Sequence, residues 1–361
     1  MGGRYQLARR GSGRRSFYGR TRQQAHQRLL VAQKTIADGL PLAAERQTTG
    51  QYLESWLQDS VGRKVRPHTL RSYREIVRLH LVPAVGRVRL ARLTPAHVEI
   101  MMNDGLARGQ SPRSVGYHRA VLRNALNVAM RHGLLVRNVA SLAEPPHIPE
   151  REFHALTPTT AKALLNAVKG DRLEALFTVA LACGLRQSEA LGLRWTDVDL
   201  DEATMAVLRT LQRVDRAYVF LEPKTARSRR TIALPSPVVA SLREHHGRQI
   251  EERLRTGAAW QGEQWEGLVF ADEVGSPLSG FRVTRRFRAL LRMAGLPPMR
   301  YHDLRHGAAT LMAARGVPAR VAMEMLGHAQ ISTTMNIYTH IAPELQREAA
   351  ERMGTTLWGQ A

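Results

Sequence analysis

Cysteine is almost absent from the 361-residue sequence: Cys183, in the apolar stretch LFTVALACGL, is the only one. A lone thiol cannot close a disulfide within the chain, so we interpret Cys183 as a buried structural thiol and expect a reducing cytoplasm. A run of about 18 apolar residues, as a membrane span requires, is also missing. The N-terminal segment MGGRYQLARRGSGRRSF has no apolar core of the kind that secretory signals carry. These absences favour a protein of the cytoplasm.

Acidic residues are missing from the first 37 positions, which hold nine basic residues. Residues 61–137 contain fifteen basic residues against three acidic ones, whereas residues 138–361 are nearly balanced, with 28 against 24. Most of the net charge of +22 therefore arises in the first two-fifths of the chain. Such an excess favours a polyanionic partner, with DNA or RNA preferred over an acidic lipid surface. Charge alone does not identify a reaction.

Lysine is rare as well, since only five of the 53 basic residues are lysines. The difference matters because an arginine does not usefully give up a proton, whereas a lysine can. Lys224, in the segment PKTARS between two predicted strands, is the only lysine after Lys169. Taken alone, its ordinary interpretation is a solvated lysine of a hairpin.

Helix and strand signals divide the chain into three domains and a linker. The N-terminal region predicts short strands and then a helix from Arg22 to Ala37, capped by Thr21. The next region is all-helical, and Thr94-Pro95 is a strong helix start. The last region is mixed, with β-like segments at 204–213, 217–221 and 229–234. We expect a multidomain α+β fold, mainly α with small β-sheets. The expected boundaries are 1–45, 46–140, a proline-rich linker at 141–152, and 153–361.

Five short motifs follow one another in the C-terminal region. They are GLRQSEAL with Arg186 and Glu189, PKTARS with Lys224, YHDLRH with His302 and Arg305, LGH with His328, and TTMNIYTH with Tyr338. Each alone has an ordinary interpretation: a surface ion pair for Arg186 and Glu189, or an amphipathic core residue for Tyr338. The spacing of His302 and Arg305 places both on one face of a helix.

The motifs suit phosphodiester chemistry without a metal. Breaking a phosphodiester needs a nucleophile, charge relief at the phosphoryl oxygens and an acid for the leaving oxygen. Metal nucleases use clustered carboxylates, and no convincing cluster is present, because the aspartates of WTDVDLDEAT alternate at a turn and strand edge. Two arginines can clamp the phosphate instead, and Arg186 and Arg305 are the candidates. We therefore expect no metal and no cofactor.

The combined order R-x-x-E, K, H-x-x-R, L-G-H and Y resembles the tyrosine recombinase (phage integrase) family, which includes lambda-type integrases and the Xer recombinases. The resemblance to the family's catalytic domain covers Phe153 to Trp358, and Thr48–Ala140 resembles its core-binding domain. Residues 1–45 are similar to the arm-binding domain of mobile-element integrases. Gly307 departs from the family pattern, which more often has Thr or Ser at this place.

The resemblance implies a role for each motif residue. Tyr338 would attack the scissile phosphorus to form a 3′-phosphotyrosyl bond, and His302 would help to accept its proton. Lys224 would protonate the leaving 5′-oxygen, and His328 would hydrogen-bond the phosphate. Glu189 would orient Arg186. Because the covalent intermediate keeps the phosphoester energy, resealing would need no ATP.

The resemblance also implies partners: double-stranded attachment-site DNA, a homotetramer on that DNA, a directionality factor or DNA-bending protein, and a place on the nucleoid. Basic residues of the first two domains are candidates for DNA contact: Arg14, Arg15, Arg71, Arg119 and Arg123. Three alternatives stay open. An Xer-like recombinase would lack residues 1–45, an idle regulator would bind DNA without cutting it, and a type IB topoisomerase would relax generic supercoiled DNA as a monomer.

Overall fold

The computed structural model describes residues 3–9, 12–37, 47–62, 64–149, 156–214, 217–223, 228–327, 330–331, 334–335, 338, 350–351 and 353–359. The chain divides into two compact units, Met1–Arg151 and Glu152–Ala361, which are described separately. Both contain helices, and the described strands form small antiparallel sheets, so the predicted α+β fold class is confirmed. Lys224 and His328 lie outside the described residues.

The first unit begins with a two-stranded antiparallel sheet of β1 (Gly3–Arg9) and β2 (Ser12–Gly19). Helix α1 (Arg22–Ala37) packs against both strands. The Thr21 side chain accepts a hydrogen bond from the backbone N–H of Gln24 at 3.2 Å, so the predicted cap is present. Strands followed by a capped helix agree with the sequence prediction for this region.

A helical core fills the rest of the first unit. Its α-helices are α2 (Thr49–Ser55), α3 (Pro67–Ile76), α4 (Val82–Val85), α5 (Pro95–Ala107), α6 (Pro112–Arg131) and α7 (Val139–Leu142). Leu53, Leu122 and Leu126 are among the fully buried side chains that these helices share. Helix α5 begins where the sequence predicts, because Thr94 caps it and Pro95 occupies its first position.

The second unit combines helices with two small sheets. Its helices are α8 (Pro158–Val168), α9 (Glu174–Cys183), α10 (Gln187–Leu191), α11 (Ser236–Thr256), α12 (Gly280–Met293), α13 (Tyr301–Ala314) and α14 (Ala319–Leu326). Its strands are β3 (Val198–Asp199), β4 (Thr204–Val207), β5 (Thr210–Val214), β6 (Ala217–Leu221) and β7 (Arg230–Ala233). Strands β3, β4 and β7 form one antiparallel sheet, and β5 pairs with β6 in a hairpin.

Helix α9 is the centre of this unit. It contacts α8, α11 and α13, and the ring of Phe177 lies 5.1 Å from that of Phe287. Cys183 is buried at the end of the helix, as predicted, and burial raises its pKa to about 12. Among the described residues, no helix has both the length and the apolar character needed to cross a membrane. The apolar α9 is therefore a core helix.

A buried histidine should make the stability of this unit depend on pH. His245 on α11 is 3% exposed, and its Nε2 lies 2.7 Å from the carbonyl oxygen of Val269. Burial lowers the pKa of His245 to about 4. The unfolded chain has the ordinary histidine pKa of about 6.5, so it binds more protons than the folded protein between these values. Stability should therefore fall as the pH drops through this window.

We predict that His245→Gln reduces the pH dependence of unfolding. Glutamine can still donate to the carbonyl of Val269, but it does not titrate. When the pH is lowered from 7 to 5, the free energy of unfolding, measured with urea, should fall by about 2 kcal/mol more in the wild type than in the variant. His246→Gln is the control, because His246 is exposed on the same helix. Equal pH dependence in the wild type and His245→Gln would contradict this assignment.

Candidate active site

Arg186 is placed by the sharp end of α9. Gly184 ends this helix in the left-handed region, with φ of 64°, and a side chain there would overlap Leu326 of α14. Glycine is therefore required both for the conformation and for the close packing. Two residues later Arg186 caps α10, and its backbone N–H donates to Glu189 at 3.0 Å. The turn that glycine permits brings Arg186 next to α14.

Glu189 is a buried carboxylate, 2% exposed, that binds three arginines. Its oxygens lie 2.5 Å from a guanidinium nitrogen of Arg186, 3.0 Å from one of Arg230 and 3.9 Å from one of Arg305. Burial alone would raise the pKa of Glu189, but the charges and hydrogen bonds of Arg230 and Arg186 outweigh it and lower the pKa. The carboxylate is therefore ionised and contacts all three arginines, and its role in orienting Arg186 stays a prediction.

Arg305 is the most enclosed of the three arginines, with 2% of its surface exposed. It projects from α13, and its Nη1 donates to the carbonyl oxygen of Gly184 at 2.8 Å. Its other terminal nitrogen, Nη2, is buried without a hydrogen-bond partner among the described residues. Burial, followed by the charge of Arg186, lowers the pKa of Arg305 to about 9, so the group stays protonated at neutral pH. A buried, charged donor without an acceptor is costly unless an anion binds to it.

The charge of this cluster matches the chemistry of a phosphodiester. Three guanidinium groups and one carboxylate, those of Arg186, Arg230, Arg305 and Glu189, give a net charge of +2. A phosphodiester carries one negative charge, and a second develops when a nucleophile adds to phosphorus. Buried guanidinium groups stabilise such charge more strongly than exposed ones, because little water screens them. The cluster can therefore bind a phosphate and stabilise its transition state.

His302 lies beside this cluster, three residues before Arg305 on α13. His302 is exposed to solvent. Partial loss of water around its ring, the neighbouring His306, and the charges of Arg305 and Arg186 lower the pKa of His302 to about 4. The ring of His306 lies 4.9 Å away at a right angle. Above pH 4 the imidazole is neutral, and a neutral imidazole can accept a proton.

The segments that flank Lys224 and His328 reach the cluster, although both residues lie outside the described part of the chain. The Arg186 Nη2 donates to the carbonyl oxygen of Gly327, the residue before His328, at 3.2 Å. Lys224 belongs to the connection between β6 and β7, and β7 begins at Arg230, which binds Glu189. The roles of Lys224 and His328 stay predictions.

Tyr338 has a hydrogen bond to the backbone of the turn between α13 and α14. Its hydroxyl donates to the carbonyl oxygen of Val317 at 2.7 Å, and the side chain is half-buried. Burial raises the pKa of the Tyr338 phenol, so the group is protonated at neutral pH. This hydrogen bond must break before the oxygen can act as a nucleophile.

The structure explains why glycine can stand at position 307. Gly307 is buried in α13, and an added Cβ would lie 2.7 Å from Leu156 Cδ2. A serine or threonine here would displace Leu156. The departure from the family pattern is therefore accommodated by core packing, and it removes none of the charged groups of the cluster.

The aspartates of WTDVDLDEAT serve the fold, in agreement with the sequence interpretation. Asp197 is 9% exposed, forms an ion pair with Arg209 and accepts the backbone N–H of Arg194 at 3.1 Å. Asp199 accepts the backbone N–H groups of Asp201 and Glu202 at 3.0 and 2.8 Å. These carboxylates hold the turn and the edge of β3.

The five basic residues proposed for DNA contact have different surroundings. Arg14 and Arg15 lie in β2. Arg71 is exposed and forms an ion pair with Glu75 at 3.3 Å, and Arg123 is exposed on α6. Arg119 is 9% exposed, and its Nη2 lies 3.4 Å from the carbonyl oxygen of Ser141. Their contact with DNA stays a prediction.

Arg230 is the member of the cluster that sequence reasoning missed. Its side chain is 6% exposed, yet the sequence offers no motif around it, because Arg229 and Arg230 form an ordinary basic pair at the start of a predicted strand. Its partners Glu189 and Met325 are 41 and 95 residues away along the chain. The one available signal is alternation, which places only one of two neighbouring strand residues on the inner face.

Comparisons with known proteins agree with this fold. The family described as "Phage integrase family" matches residues 154–344, and "Phage integrase, N-terminal SAM-like domain" matches residues 48–104. A "Tyrosine recombinase XerC-like" protein of Caldanaerobacter subterraneus subsp. tengcongensis is 30% identical, over 94% of this chain and 91% of the relative.

Two solved structures are similar in fold. The Tn1549 transposon integrase in complex with a circular intermediate DNA has a TM-score of 0.74 at 19% identity, covering 85% of this chain and 99% of that one. A lambda integrase tetramer bound to a Holliday junction has a TM-score of 0.60 at 18% identity, covering 90% of this chain and 89% of that one.

The fold and these matches define the class of tyrosine-type site-specific recombinases, enzymes that break and rejoin DNA strands when mobile elements recombine. The chain belongs to the Phage integrase family.

Proposed function

We propose that this chain is the integrase of a phage or integrative element, and that its arginine cluster holds the scissile phosphate of an attachment site. The observation that carries the proposal is the buried guanidinium of Arg305. One of its nitrogens has no hydrogen-bond partner among the described residues, within a cluster of net charge +2. A DNA phosphate supplies the missing acceptor, and Arg186 binds the same phosphate from the adjoining turn.

In the first chemical step, the Tyr338 oxygen attacks phosphorus and the bond from phosphorus to the 5′-oxygen breaks. The phenolic proton passes to His302, which is neutral above pH 4. Lys224 gives a proton to the leaving 5′-oxygen, and His328 hydrogen-bonds the phosphate. The products are a 3′-phosphotyrosyl bond and a free 5′-hydroxyl. Attack by a 5′-hydroxyl of a second duplex reverses these steps and exchanges the strands.

Each domain has its own part in DNA binding or catalysis. We assign residues 1–45 to arm-type DNA sites, 46–140 to core sites and 153–361 to catalysis, with 141–152 as the linker. The N-terminal excess of basic residues supports the first two assignments. Four protomers act on paired sites, as in the lambda integrase tetramer on a Holliday junction. A directionality factor or a DNA-bending protein selects integration or excision, and the enzyme works on the nucleoid.

The test is a covalent trap. A duplex is made from the end junction of the element that encodes the chain, with a nick beside the cleavage point so that a short 5′-hydroxyl fragment diffuses away. We expect an adduct that survives detergent and retains a label at the 5′ end of the cut strand. Mass spectrometry should place the nucleotide on Tyr338.

The trap separates the idle regulator, and an assay for relaxation of supercoiled DNA separates the topoisomerase. An idle regulator would bind the duplex without forming the adduct. A type IB topoisomerase would relax generic supercoiled DNA as a monomer, without any need for the junction sequence. Either result would overturn the assignment as an integrase.

A further inference from the structure

The Glu189 carboxylate hydrogen-bonds to Arg186 and Arg230, whereas Arg305 lies just beyond hydrogen-bond distance. Its Oε1 lies 2.5 Å from the Nη1 of Arg186. Its Oε2 accepts the backbone N–H of Arg186 and the Nη2 of Arg230, each at 3.0 Å. The Nη1 of Arg305 is 3.9 Å from the same Oε2, a distance that allows attraction between the charges but no hydrogen bond. Arg305 is therefore close to the carboxylate without being bonded to it.

The side chains of Arg230 and Arg305 are both buried, but they differ in how their nitrogens are used. The Nε and Nη1 of Arg230 donate to the carbonyl oxygens of Met325 and Ser228 at 2.6 and 3.1 Å, and its Nη2 donates to Glu189. Each nitrogen of Arg230 therefore has a protein acceptor. The Nη2 of Arg305 is buried and has no hydrogen-bond partner among the described residues. Arg230 is thus bonded only to protein, while Arg305 keeps a donor for a ligand.

Arg230 also balances the charge of Glu189. Their side chains are 6% and 1% exposed, so little water screens the attraction between them. Because this pair is neutral as a whole, Arg186 and Arg305 supply the net charge of +2 that the cluster offers to a phosphate. Removal of Arg230 would leave two guanidinium groups and one carboxylate, with a net charge of +1. It would also leave the Oε2 of Glu189 with an open acceptor position.

Arg305 is the cation that would fill this open position on Glu189. The guanidinium of Arg186 already lies against Oε1, whereas the Nη1 of Arg305 would need to move by about 1 Å to bond to Oε2. The same Nη1 donates to the carbonyl oxygen of Gly184 at 2.8 Å, and the movement would weaken that bond. The result would be a carboxylate that competes with the phosphate for Arg305.

We propose that Arg230 is a positioning residue: it occupies the Glu189 carboxylate and thereby keeps the Arg305 guanidinium available for the scissile phosphate. This inference rests on the proposed function, in which Arg305 binds that phosphate. Arg230 has this effect without touching the DNA, because its own nitrogens are bonded to protein. It follows that Arg230 matters for cleavage only while residue 189 carries a negative charge.

The test compares four proteins: the wild type, Arg230→Met, Glu189→Gln and the double variant. Methionine has a length similar to that of arginine but neither a charge nor an N–H donor. We expect Arg230→Met to slow single-turnover cleavage of the nicked end-junction duplex by about 10²-fold, because a displacement of about 1 Å in a catalytic group has an effect of this size. Its affinity for the duplex, measured by gel shift, should stay that of the wild type.

Glu189→Gln provides the readout that a purely structural role of Arg230 would not affect. Glutamine has nearly the same shape as glutamate but no charge, so it does not draw Arg305 when Arg230 is replaced. With Glu189→Gln present, the further change Arg230→Met should slow cleavage by about 3-fold or less. If Arg230 served only the packing of this region, its replacement would slow cleavage by the same factor with and without the carboxylate.

Arg229→Met is the matched control, since Arg229 is the neighbouring residue, is 52% exposed and pairs with the exposed Glu222. It should leave cleavage unchanged, both alone and together with Glu189→Gln. Unfolding temperatures are measured for every protein, and cleavage is compared at a temperature where all of them are folded. Arg230→Gln takes the place of Arg230→Met if the methionine variant does not fold.

Two results would overturn the positioning role of Arg230. One is wild-type cleavage by Arg230→Met, and the other is the same loss with and without the charge of Glu189. Failure of the proposed function would give a different result. In that case the wild type forms no covalent adduct, or Arg305→Lys cleaves as fast as the wild type, whatever the result for Arg230.

Discussion

Tyr338→Phe should abolish covalent capture of the nicked duplex and leave DNA binding intact. The variant lacks the one oxygen that can join the 3′ phosphate, and no other group of the proposed mechanism can replace it. We expect the adduct to fall below detection, while the affinity measured by gel shift stays that of the wild type.

The loss of covalent capture in Tyr338→Phe would not be caused by unfolding. The Tyr338 hydroxyl donates to the carbonyl of Val317, and loss of a hydrogen bond of this kind costs about 1 kcal/mol. The half-buried ring remains in phenylalanine. Thermal unfolding should therefore shift little, and a large shift would point to a structural role instead.

Tyr301→Phe is the matched control. Tyr301 is 5% exposed in the same unit, and its hydroxyl has no hydrogen-bond partner among the described residues. Removing that oxygen should leave folding and capture unchanged. If Tyr338→Phe still formed the adduct and Tyr301→Phe did not, Tyr338 would not be the nucleophile.

The order of motifs predicts Arg186, Glu189 and Arg305 because the local sequence constrains each of them. Gly184 allows the turn that presents Arg186, and Glu189 lies one helical turn further on, within reach of the same guanidinium. Their meeting with Arg305 is a tertiary contact between α10 and α13, which only the resemblance to a family could indicate. The sequence, together with the resemblance to a family, was therefore sufficient to predict these three residues.

The cluster position of Arg230 and the Val317 contact of Tyr338 could not be predicted, because Glu189 and Met325 lie 41 and 95 residues from Arg230 and Val317 lies 21 residues from Tyr338. The β-like segment 204–213 illustrates a second limit. It looks continuous, yet it forms two strands in different sheets, and Arg209, which lies between them, pairs with the buried Asp197. The period of a segment does not show which strand it pairs with, so the sequence pattern could not predict this break.

Replacing Arg305 should have the second largest effect after the loss of Tyr338. Removal of a single donor to a developing oxyanion slows catalysis by about 10²- to 10³-fold, and Arg305 is a charged donor in a buried site. We therefore expect Arg305→Lys to slow cleavage by about 10³-fold. Affinity for the duplex should hardly change, because in the proposed function the basic residues of the first two domains contact many other phosphates.

Lysine is the informative substitution because it separates charge from geometry. Lysine keeps a positive charge near Glu189, so the buried carboxylate keeps its countercharge. Arg305→Ala would remove this charge and would also leave the carbonyl of Gly184 without its donor. An ammonium group cannot bind that carbonyl and a phosphate oxygen in the planar geometry of a guanidinium. The expected loss in Arg305→Lys is therefore a loss of phosphate alignment.

The measurement is single-turnover cleavage of the nicked duplex, with affinity determined in parallel. Arg320→Lys is the control, since Arg320 is 66% exposed and pairs with Glu324 on the surface of α14. If Arg305→Lys lost binding and cleavage to the same extent, Arg305 would contribute to affinity in general. A selective loss of cleavage is expected only if the buried nitrogen without a described partner binds the scissile phosphate in the transition state.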